Sequence, residues 1–267
     1  MNRNISILFK GMIFSLFVIL LASLISAASP VGASTTFIKS SGYSSSTSNG
    51  SVAGVAGNVT ELNIFSQNSI TNGWTGFYGN ISGTMELADS NGNAFYNWSS
   101  TSPKGQVYVS KNSTIQWGNI QCFNFTAMGN YTSDIAKAGG TSLYGTNISQ
   151  LESEFGITAS DADSISKTFV LSGPSTHNSF VVGSLGFVEG QCMNTRILAQ
   201  FGASEDNKFE EVLLYEPQST SVVFTTILND NVVGFDGGYH DFETMVPEDG
   251  HNGNTSPTMY YFFMELQ

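Results

Sequence analysis

Apolar and polar residues alternate in short runs from about Asn58 to the last residue, and turn residues separate the runs. A period of two is typical of β-strands, because successive side chains point to opposite faces of a sheet. The clearest runs are GQVYVS, STIQWGNIQCFNF, TFVLS, SFVVGSLGFVEGQC, TRILAQFG, FEEVLLYE, TSVVFTTILN and MYYFFMEL. Their spacing of about ten residues predicts a mainly β protein, an antiparallel β-sandwich built as one large sandwich or as two packed ones.

One pair of runs predicts a hairpin. Met85 and Leu87 alternate with polar residues before the sequence DSNGN, and apolar residues resume after it. Asn91 and Gly92 both tolerate positive φ, which favours a tight turn between two strands. The turn also resembles the start of an EF-hand calcium loop, but Ala94 stands where that loop requires glycine.

Between residues 131 and 167, the two-residue period of the apolar positions changes to a helical period. Ile148, Leu151 and Phe155 share one face of a predicted helix, and Gly156 follows as a stop signal. The sequence therefore predicts a short helical insertion near 132–167 within a β protein. The resulting division is a leader (1–33), a Ser/Gly-rich linker (34–57), an N-terminal β region (58–130), a helical connector (131–167) and a C-terminal β region (168–267).

The leader predicts export. Two cations precede an apolar run from about Met12 to Ile25, which is expected to form a hydrophobic helix, and small residues follow. This is the pattern of a signal peptide, with candidate cleavage sites after Ala28 or Ala33. The run is shorter than the ~20 residues of a typical membrane span. A retained membrane anchor, or a prepilin leader processed at Gly11, stays open as an alternative.

Composition and charge narrow the class of partner. Only 11% of the residues are charged, and the net charge is −12. Without the two leader cations it becomes −14, because 7 Lys and Arg then oppose 21 Asp and Glu. Such a chain would be repelled by nucleic acid and by an anionic bilayer. We expect no nucleic-acid partner, and membrane contact only through an uncleaved N-terminal segment.

Export also sets expectations for the cysteines and for certain asparagines. Cys122 and Cys192 are predicted to form a disulfide, because an isolated pair outside the cytosol usually does so. Nine Asn-x-Ser/Thr sequons follow the leader, more than chance predicts, and eight of them lie between residues 49 and 147. They indicate N-glycosylation. The candidate asparagines are Asn49, Asn58, Asn80, Asn97, Asn112, Asn124, Asn130, Asn147 and Asn254.

No sequence motif indicates a particular reaction. HExxH, GxSxG, P-loop and GxGxxG motifs do not occur, so no catalytic or cofactor-binding residue is assigned and a non-catalytic protein is predicted. The densest polar stretch is FDGGYHDFETMVPEDGHNG, residues 235–253, with five acids and two histidines, His240 and His251. Its glycines and asparagines favour turns. We expect turns and one strand, with solvated acids in a supporting role.

Calcium is the one cofactor that this stretch leaves open. Asp and Asn side chains in loops supply the oxygen ligands that calcium prefers. The candidate ligands are Asp230, Asp236 and Asp241. A zinc site is not expected, because His240 and His251 lie on either side of a predicted strand.

Several phrases resemble a group of archaeal exported surface proteins that have no assigned activity. They are GWTGFYGNISGTMELADSNGNAFYNW with WGNIQC, EEVLLYE, and GFDGGYHDFETMVPEDGHNGNTSPTMYYFFMEL, together about half of the mature chain. The resemblance implies a cell-surface location and an archaeal type of N-glycosylation. It implies no mechanism.

Three functions from different classes fit these observations. The first is a structural or interaction protein of the cell surface, with other surface proteins or glycans as partners. The second is a carbohydrate- or ligand-binding module, which Trp74, Trp98 and Trp117 on one flat face would favour. The third is a filament subunit, either pilin-like or joined by strand donation. An unfilled sheet edge beside the final strand would favour donation.

Overall fold

The computed structural model describes residues 29–42, 71–99, 103–125, 148–171, 176–198, 209–254 and 256–267. These residues form mainly antiparallel β-structure with two short helices, which confirms the predicted mainly β class. The hydrophobic run of the leader, the later part of the predicted linker and the first half of the helical connector lie outside the described residues.

A seven-stranded antiparallel sheet organises the described chain. From one edge inward its strands are β1 (Val31–Gly32), β15 (Tyr261–Leu266), β5 (Gly105–Ser110), β11 (Ser221–Ile227) and β10 (Glu210–Glu216). Two short strands share the far edge, and both pair with β10: β6 (Gln121–Cys122) and β9 (Asn194–Arg196).

Smaller elements surround this sheet. The described two-stranded pairs are β2 (Trp74–Gly79) with β14 (Phe242–Pro247), β3 (Thr84–Ala88) with β4 (Ala94–Ser99), β7 (Phe180–Val182) with β8 (Leu185–Phe187), and β12 (Val232–Val233) with β13 (Tyr239–His240). The helices are α1 (Ile148–Ser153) and α2 (Ile165–Thr168). Two 3₁₀ turns occupy Trp117–Asn119 and Gly250–Asn252.

Both faces of the large sheet are buried. Leu213 of β10 enters one hydrophobic core, while its neighbours Val212 and Leu214 enter another. The helices and the β2–β14 pair contribute to the first core, and the β7–β8 hairpin contributes to the second. Because both faces pack against a core, β10 has consecutive apolar residues at its centre, from Val212 to Tyr215, in place of a strict alternation.

Two local predictions are confirmed. Helix α1 places Leu151 in the first core together with Phe155, and Gly156 follows with a φ of +64° that ends the helical turns. The predicted hairpin is β3–β4. In its turn, the Asp89 carboxylate accepts the backbone N–H of Asn91 at 2.9 Å.

Two predicted strands are wrong over most of their length. Of STIQWGNIQCFNF, only Gln121–Cys122 is a strand, and of TFVLS only Val170 forms a bridge, with Asn194. The edge of β10 explains the first result. Leu213 accepts the N–H of Phe123 at 3.1 Å but donates its own N–H to Met193 at 2.8 Å, so the segment that leads into β9 replaces β6 at that point.

The predicted disulfide lies at this junction. Cys122 belongs to β6 and pairs with Leu214, whereas Cys192 lies just before β9. Both cysteines are buried, at 1% and 0% exposure. The disulfide therefore joins β6 to the residues that lead into β9. These two strands follow one another along a single edge, and neither is long enough to be stable alone.

The sheet also begins early in the chain. Pro30 is buried, Val31 pairs with Met264, and the Ala33 N–H donates to the Phe262 carbonyl at 2.9 Å. The sheet therefore includes residues that directly follow the first candidate cleavage site, and the Ser/Gly-rich linker comes after this edge strand rather than before the folded part.

The disulfide gives the first prediction. Replacing both cysteines, Cys122→Ala with Cys192→Ala, should lower the free energy of unfolding by ~4 kcal/mol, because a crosslink across 70 residues of sequence no longer restricts the unfolded chain. Urea unfolding followed by circular dichroism measures the change.

Reductant provides the control for this experiment. It should lower the urea midpoint of the native protein and leave that of the double variant unchanged. An equal midpoint for the native and doubly substituted proteins would show that the disulfide does not hold this edge together.

Candidate functional site

The candidate stretch, residues 235–253, and the residues from Asp230 that precede it form the β12–β13 hairpin, strand β14 and a 3₁₀ turn. Strand β14 pairs with all six residues of β2. From β2, the Tyr78 ring lies 5.0 Å from the ring of Phe235 and 4.7 Å from that of His240, between ring centroids. The predicted turns and central strand are therefore present, with a short hairpin in addition.

Asp241 fastens two segments together. Its side chain is 7% exposed, and its two carboxylate oxygens accept backbone N–H groups from Ile81, at 2.8 Å, and from Asn231, at 2.9 Å. Asn231 has a φ of +53°, which is unfavourable for most residues with a side chain. The expectation of a solvated acid is wrong here, because Asp241 supplies the acceptors that these two backbone turns need.

Asp236 and His240 close the hairpin. Asp236 Oδ1 accepts the Gly238 N–H at 2.8 Å and lies 2.9 Å from His240 Nε2. The hydrogen bond with His240, followed by that with Gly238, holds the pKa of Asp236 below its usual value. These contacts lie within one hairpin, so they stabilise its turn.

Glu243 is the second acid that we expected to be solvated and that is instead buried. It is 2% exposed, and its Oε1 accepts the Phe235 N–H at 2.9 Å. Its Oε2 is buried without a hydrogen-bond partner among the described residues. Burial raises the pKa of Glu243, although the Phe235 N–H and the nearby His240 act in the opposite direction.

The structure does not arrange the three calcium candidates as a metal site. The described residues contain no group of three or more His, Cys, Asp or Glu side chains placed to hold a metal ion. Asp241 already uses both oxygens for backbone N–H groups, and Asp236 serves its own hairpin. Asp230 is half-buried. Calcium binding stays a prediction of the sequence alone.

The second histidine belongs to a different contact. His251 Nε2 lies 2.9 Å from Asp163 Oδ2, and Thr71 Oγ1 donates to that same oxygen. Burial raises the pKa of Asp163, but the bonds from Thr71 and His251 outweigh it and leave the pKa below its usual value. In a nucleophile–histidine–acid triad, the hydroxyl would bond to the histidine that removes its proton. Here Thr71 and His251 both bond to the Asp163 carboxylate, so these three side chains join the loops that carry them.

The strongest electrostatic feature lies outside the candidate stretch, at Glu211 of β10. Its side chain is fully buried, and its Oε1 accepts the Thr244 hydroxyl at 2.5 Å. The Met245 N–H lies 3.2 Å from each carboxylate oxygen. Burial raises the pKa of Glu211 from 4.5 to about 8, and these hydrogen bonds oppose the shift.

Other buried glutamates accept hydrogen bonds in the same way. Glu210 accepts the Asn178 N–H at 2.7 Å and pairs with Arg196 at 3.4 Å. Glu265 accepts the Gly183 N–H at 2.9 Å and the Tyr108 hydroxyl at 3.1 Å. The sequence contains one signal of this pattern, the Glu pair inside FEEVLLYE, because a strand with two apolar faces leaves its glutamates no route to solvent.

The β3–β4 hairpin presents a cluster of exposed apolar side chains. In the described chain these strands pair only with each other. Met85 lies opposite Trp98 and Leu87 opposite Tyr96, so the four side chains share one side of the hairpin, here named the aromatic face. They are 47%, 50%, 51% and 57% exposed, respectively. The opposite side carries Phe95, Glu86 and Asn97.

The tryptophans do not share one flat surface. Trp74 packs against Phe169 in the first core, with ring centroids 6.2 Å apart. Trp117 packs against Tyr108 in the second core, at 4.8 Å, and Trp98 lies on the aromatic face. The arrangement that would favour sugar stacking is therefore absent from these three positions.

Five predicted glycosylation sites lie in the described chain. Asn80, Asn97 and Asn254 are exposed, whereas Asn112 and Asn124 are half-buried. The Asn112 amide also donates to the Ser221 hydroxyl at 2.9 Å. The exposed three are the better acceptors for a glycan. Asn49, Asn58, Asn130 and Asn147 lie outside the described residues.

Comparison with other proteins identifies no family to which this chain is similar. No protein-family model matches this chain, and neither a curated protein nor a solved structure is significantly similar to it. Within the described ranges, none of the helices has the length and apolar character needed to span a membrane.

Glu211 gives the second prediction. Its pKa of about 8 exceeds the value of 4.5 expected in the unfolded chain. Between these values the unfolded chain ionises Glu211 and the folded chain keeps it protonated, so this residue lowers the free energy of unfolding as pH rises, by at most roughly 5 kcal/mol. Glu211→Gln should remove that loss.

Denaturant unfolding at several pH values tests the effect. The free energy of unfolding of Glu211→Gln, relative to the native protein, should increase between about pH 5 and about pH 8. Glu154→Gln is the control, because the Glu154 side chain is 56% exposed. A difference that stays flat with pH would show that Glu211 ionises normally.

Proposed function

We propose that this protein is an exported, non-catalytic structural and interaction protein of the cell surface, and that the aromatic face of the β3–β4 hairpin is its contact surface. The observation that carries the proposal is the joint exposure of Met85, Leu87, Tyr96 and Trp98 on a hairpin that pairs with no other described strand. An exposed apolar cluster of this kind is typical of protein interaction sites.

The chemistry of the face favours a protein partner over a sugar. The Tyr96 and Trp98 rings are 4.8 Å apart and inclined by 59°, so they do not form one flat platform. Met85 and Leu87 extend the face with flexible aliphatic surface, and none of the four side chains carries a charge. Aromatic anchors surrounded by aliphatic groups fit an apolar protein surface.

The rest of the protein supports this assignment as a scaffold. Buried carboxylates such as Glu211 and Asp241 act as acceptors of backbone N–H groups, which is a structural role. In this proposal the seven-stranded sheet and the β2–β14 pair are the two layers of a β-sandwich. Glycans at Asn97 would leave the side of the hairpin opposite the aromatic face, so glycosylation and partner binding are compatible.

Export gives the third prediction. The native protein should begin at Ser29, because cleavage after Ala28 retains strand β1 and cleavage after Ala33 removes it. N-terminal sequencing of the protein from its own cells tests this. The intact mass should also exceed that of the polypeptide, because of glycans. A native chain that starts at Met12 would support the prepilin alternative instead.

Partner binding gives the fourth prediction. Trp98→Ser should weaken binding of the purified protein to the protein fraction of its own cell envelope by roughly tenfold, because buried aromatic anchors dominate such interfaces. Phe95→Ser is the matched control. Phe95 lies on the opposite side of the same hairpin and is more exposed, at 84%, so its loss should change binding little.

Three outcomes decide this experiment. Loss of binding in Trp98→Ser alone supports the proposed face. Equal binding by both variants would remove the aromatic face from the interface. Binding to protein-free envelope glycans, abolished by Trp98→Ser, would replace the proposal with the carbohydrate-binding alternative.

A further inference from the structure

We propose that the outer edge of β15 is a self-assembly surface, and that its occupant in an assembly is the β1 segment of a second copy of this chain. Within a single chain, β1 of that same chain pairs with this edge. The inference does not depend on the aromatic face, because it concerns a different edge and different residues.

Backbone contacts hold β1 in place. Val31 pairs with Met264, Gly32 pairs with Phe263, and the Ala33 N–H donates to Phe262. The Val31 side chain is 64% exposed, and a side chain at Gly32 would meet no atom within 4 Å. Pro30 is the buried side chain of the segment. Because most of the attachment is backbone pairing, an identical strand from another copy would reproduce it fully.

The segment that follows β1 allows it to leave without disrupting a core. Residues 34–42 contain no helix or strand and are exposed at every position. Even Phe37 and Ile38 are 79% and 87% exposed. The two hydrophobic cores contain no residue of this segment. Moving β1 to a neighbour therefore conserves the native contacts, the condition under which strand exchange between copies costs little.

The accepting strand, β15, is fully paired on its inner side and only partly covered on its outer side. Strand β15 pairs along its full length with β5 on the inner side, whereas β1 pairs with two of its six residues on the outer side. Its Phe263 and Glu265 side chains are buried at 8% and 6% exposure, which fixes the strand. In the described chain, the rest of this outer edge has no strand partner, and such an edge is a template for another strand.

Charge favours this segment for contact between copies. Two chains of net charge −12 repel one another over most of their surface. Residues 29–38 contain no charged side chain, and Lys39 is cationic. The β1 segment therefore approaches an acidic neighbour without the repulsion that opposes other contacts.

The fifth prediction concerns exchange of this strand. One preparation of the exported protein carries Val31→Cys and the other Met264→Cys, and the two are mixed with a short bis-maleimide. Val31 and Met264 are paired across the edge, so exchange should yield a crosslinked heterodimer. Its fraction should rise with protein concentration and exceed the control by about tenfold, as expected when one strand is shared between two chains.

The controls make each result decisive. Val31→Cys mixed with Tyr261→Cys is the mismatched pair, because Tyr261 lies on the same strand three positions away. A peptide of residues 29–38 should compete and reduce the heterodimer. The same peptide with Ala33→Pro should not, because it lacks the N–H that Phe262 accepts. A chain that carries both Val31→Cys and Met264→Cys, the double variant of this experiment, should crosslink within one chain.

Two results would overturn the proposal. One is a heterodimer fraction no greater than that of the Tyr261 control, while the double variant crosslinks internally. The other is a double variant that does not crosslink, which would mean that β1 does not occupy the edge at all. Either result leaves the test of the aromatic face unaffected.

Discussion

Strand β10 has no side that faces water, and this constraint governs much of the surrounding structure. All seven of its residues are buried, and three of them are glutamates. A buried carboxylate is costly unless it receives hydrogen bonds. Glu211 obtains them from β14 and Glu210 from the segment before β7, while Glu216 accepts the N–H groups of Gln218 and Ser219 in the β10–β11 turn. The sheet can therefore bury this strand only when those three neighbouring segments are also folded.

The shortage of cations explains why backbone groups perform this task. The chain has 21 acids and only 9 Lys and Arg residues. Asp241 and Glu265 accordingly bind peptide N–H groups from distant segments. Such bonds depend on the positions of whole loops, whereas an ion pair requires only a long side chain. This arrangement ties the loops of the described chain to its strands through backbone hydrogen bonds, as the proposed scaffold role requires.

Elements that depend on neighbouring residues could be predicted from the sequence, whereas contacts between distant segments could not. The β3–β4 hairpin follows from Asn91-Gly92, and α1 from the spacing of its apolar residues, because neighbours in sequence determine both. The burial of Asp241 and Glu243 depends on β2 and on the β12–β13 hairpin, which pack against them from elsewhere in the chain. The shortening of β6 likewise depends on β9, about seventy residues away, as the Cys122–Cys192 separation of 70 illustrates. The disulfide was predictable only because the chain has two cysteines.

The position of β1 limits the distance between this protein and a membrane. The sheet begins at Val31, before the Ser/Gly-rich residues 34–57, so these residues do not lie between the hydrophobic run and the first strand of the sheet. Only five residues lie between Ile25 and Val31, and an extended chain over those six residue-to-residue steps spans at most about 20 Å. A copy that kept its hydrophobic segment in a membrane would hold the β1–β15 edge close to the lipid headgroups. Cleavage of the leader would change the orientation of the protein as well as its attachment.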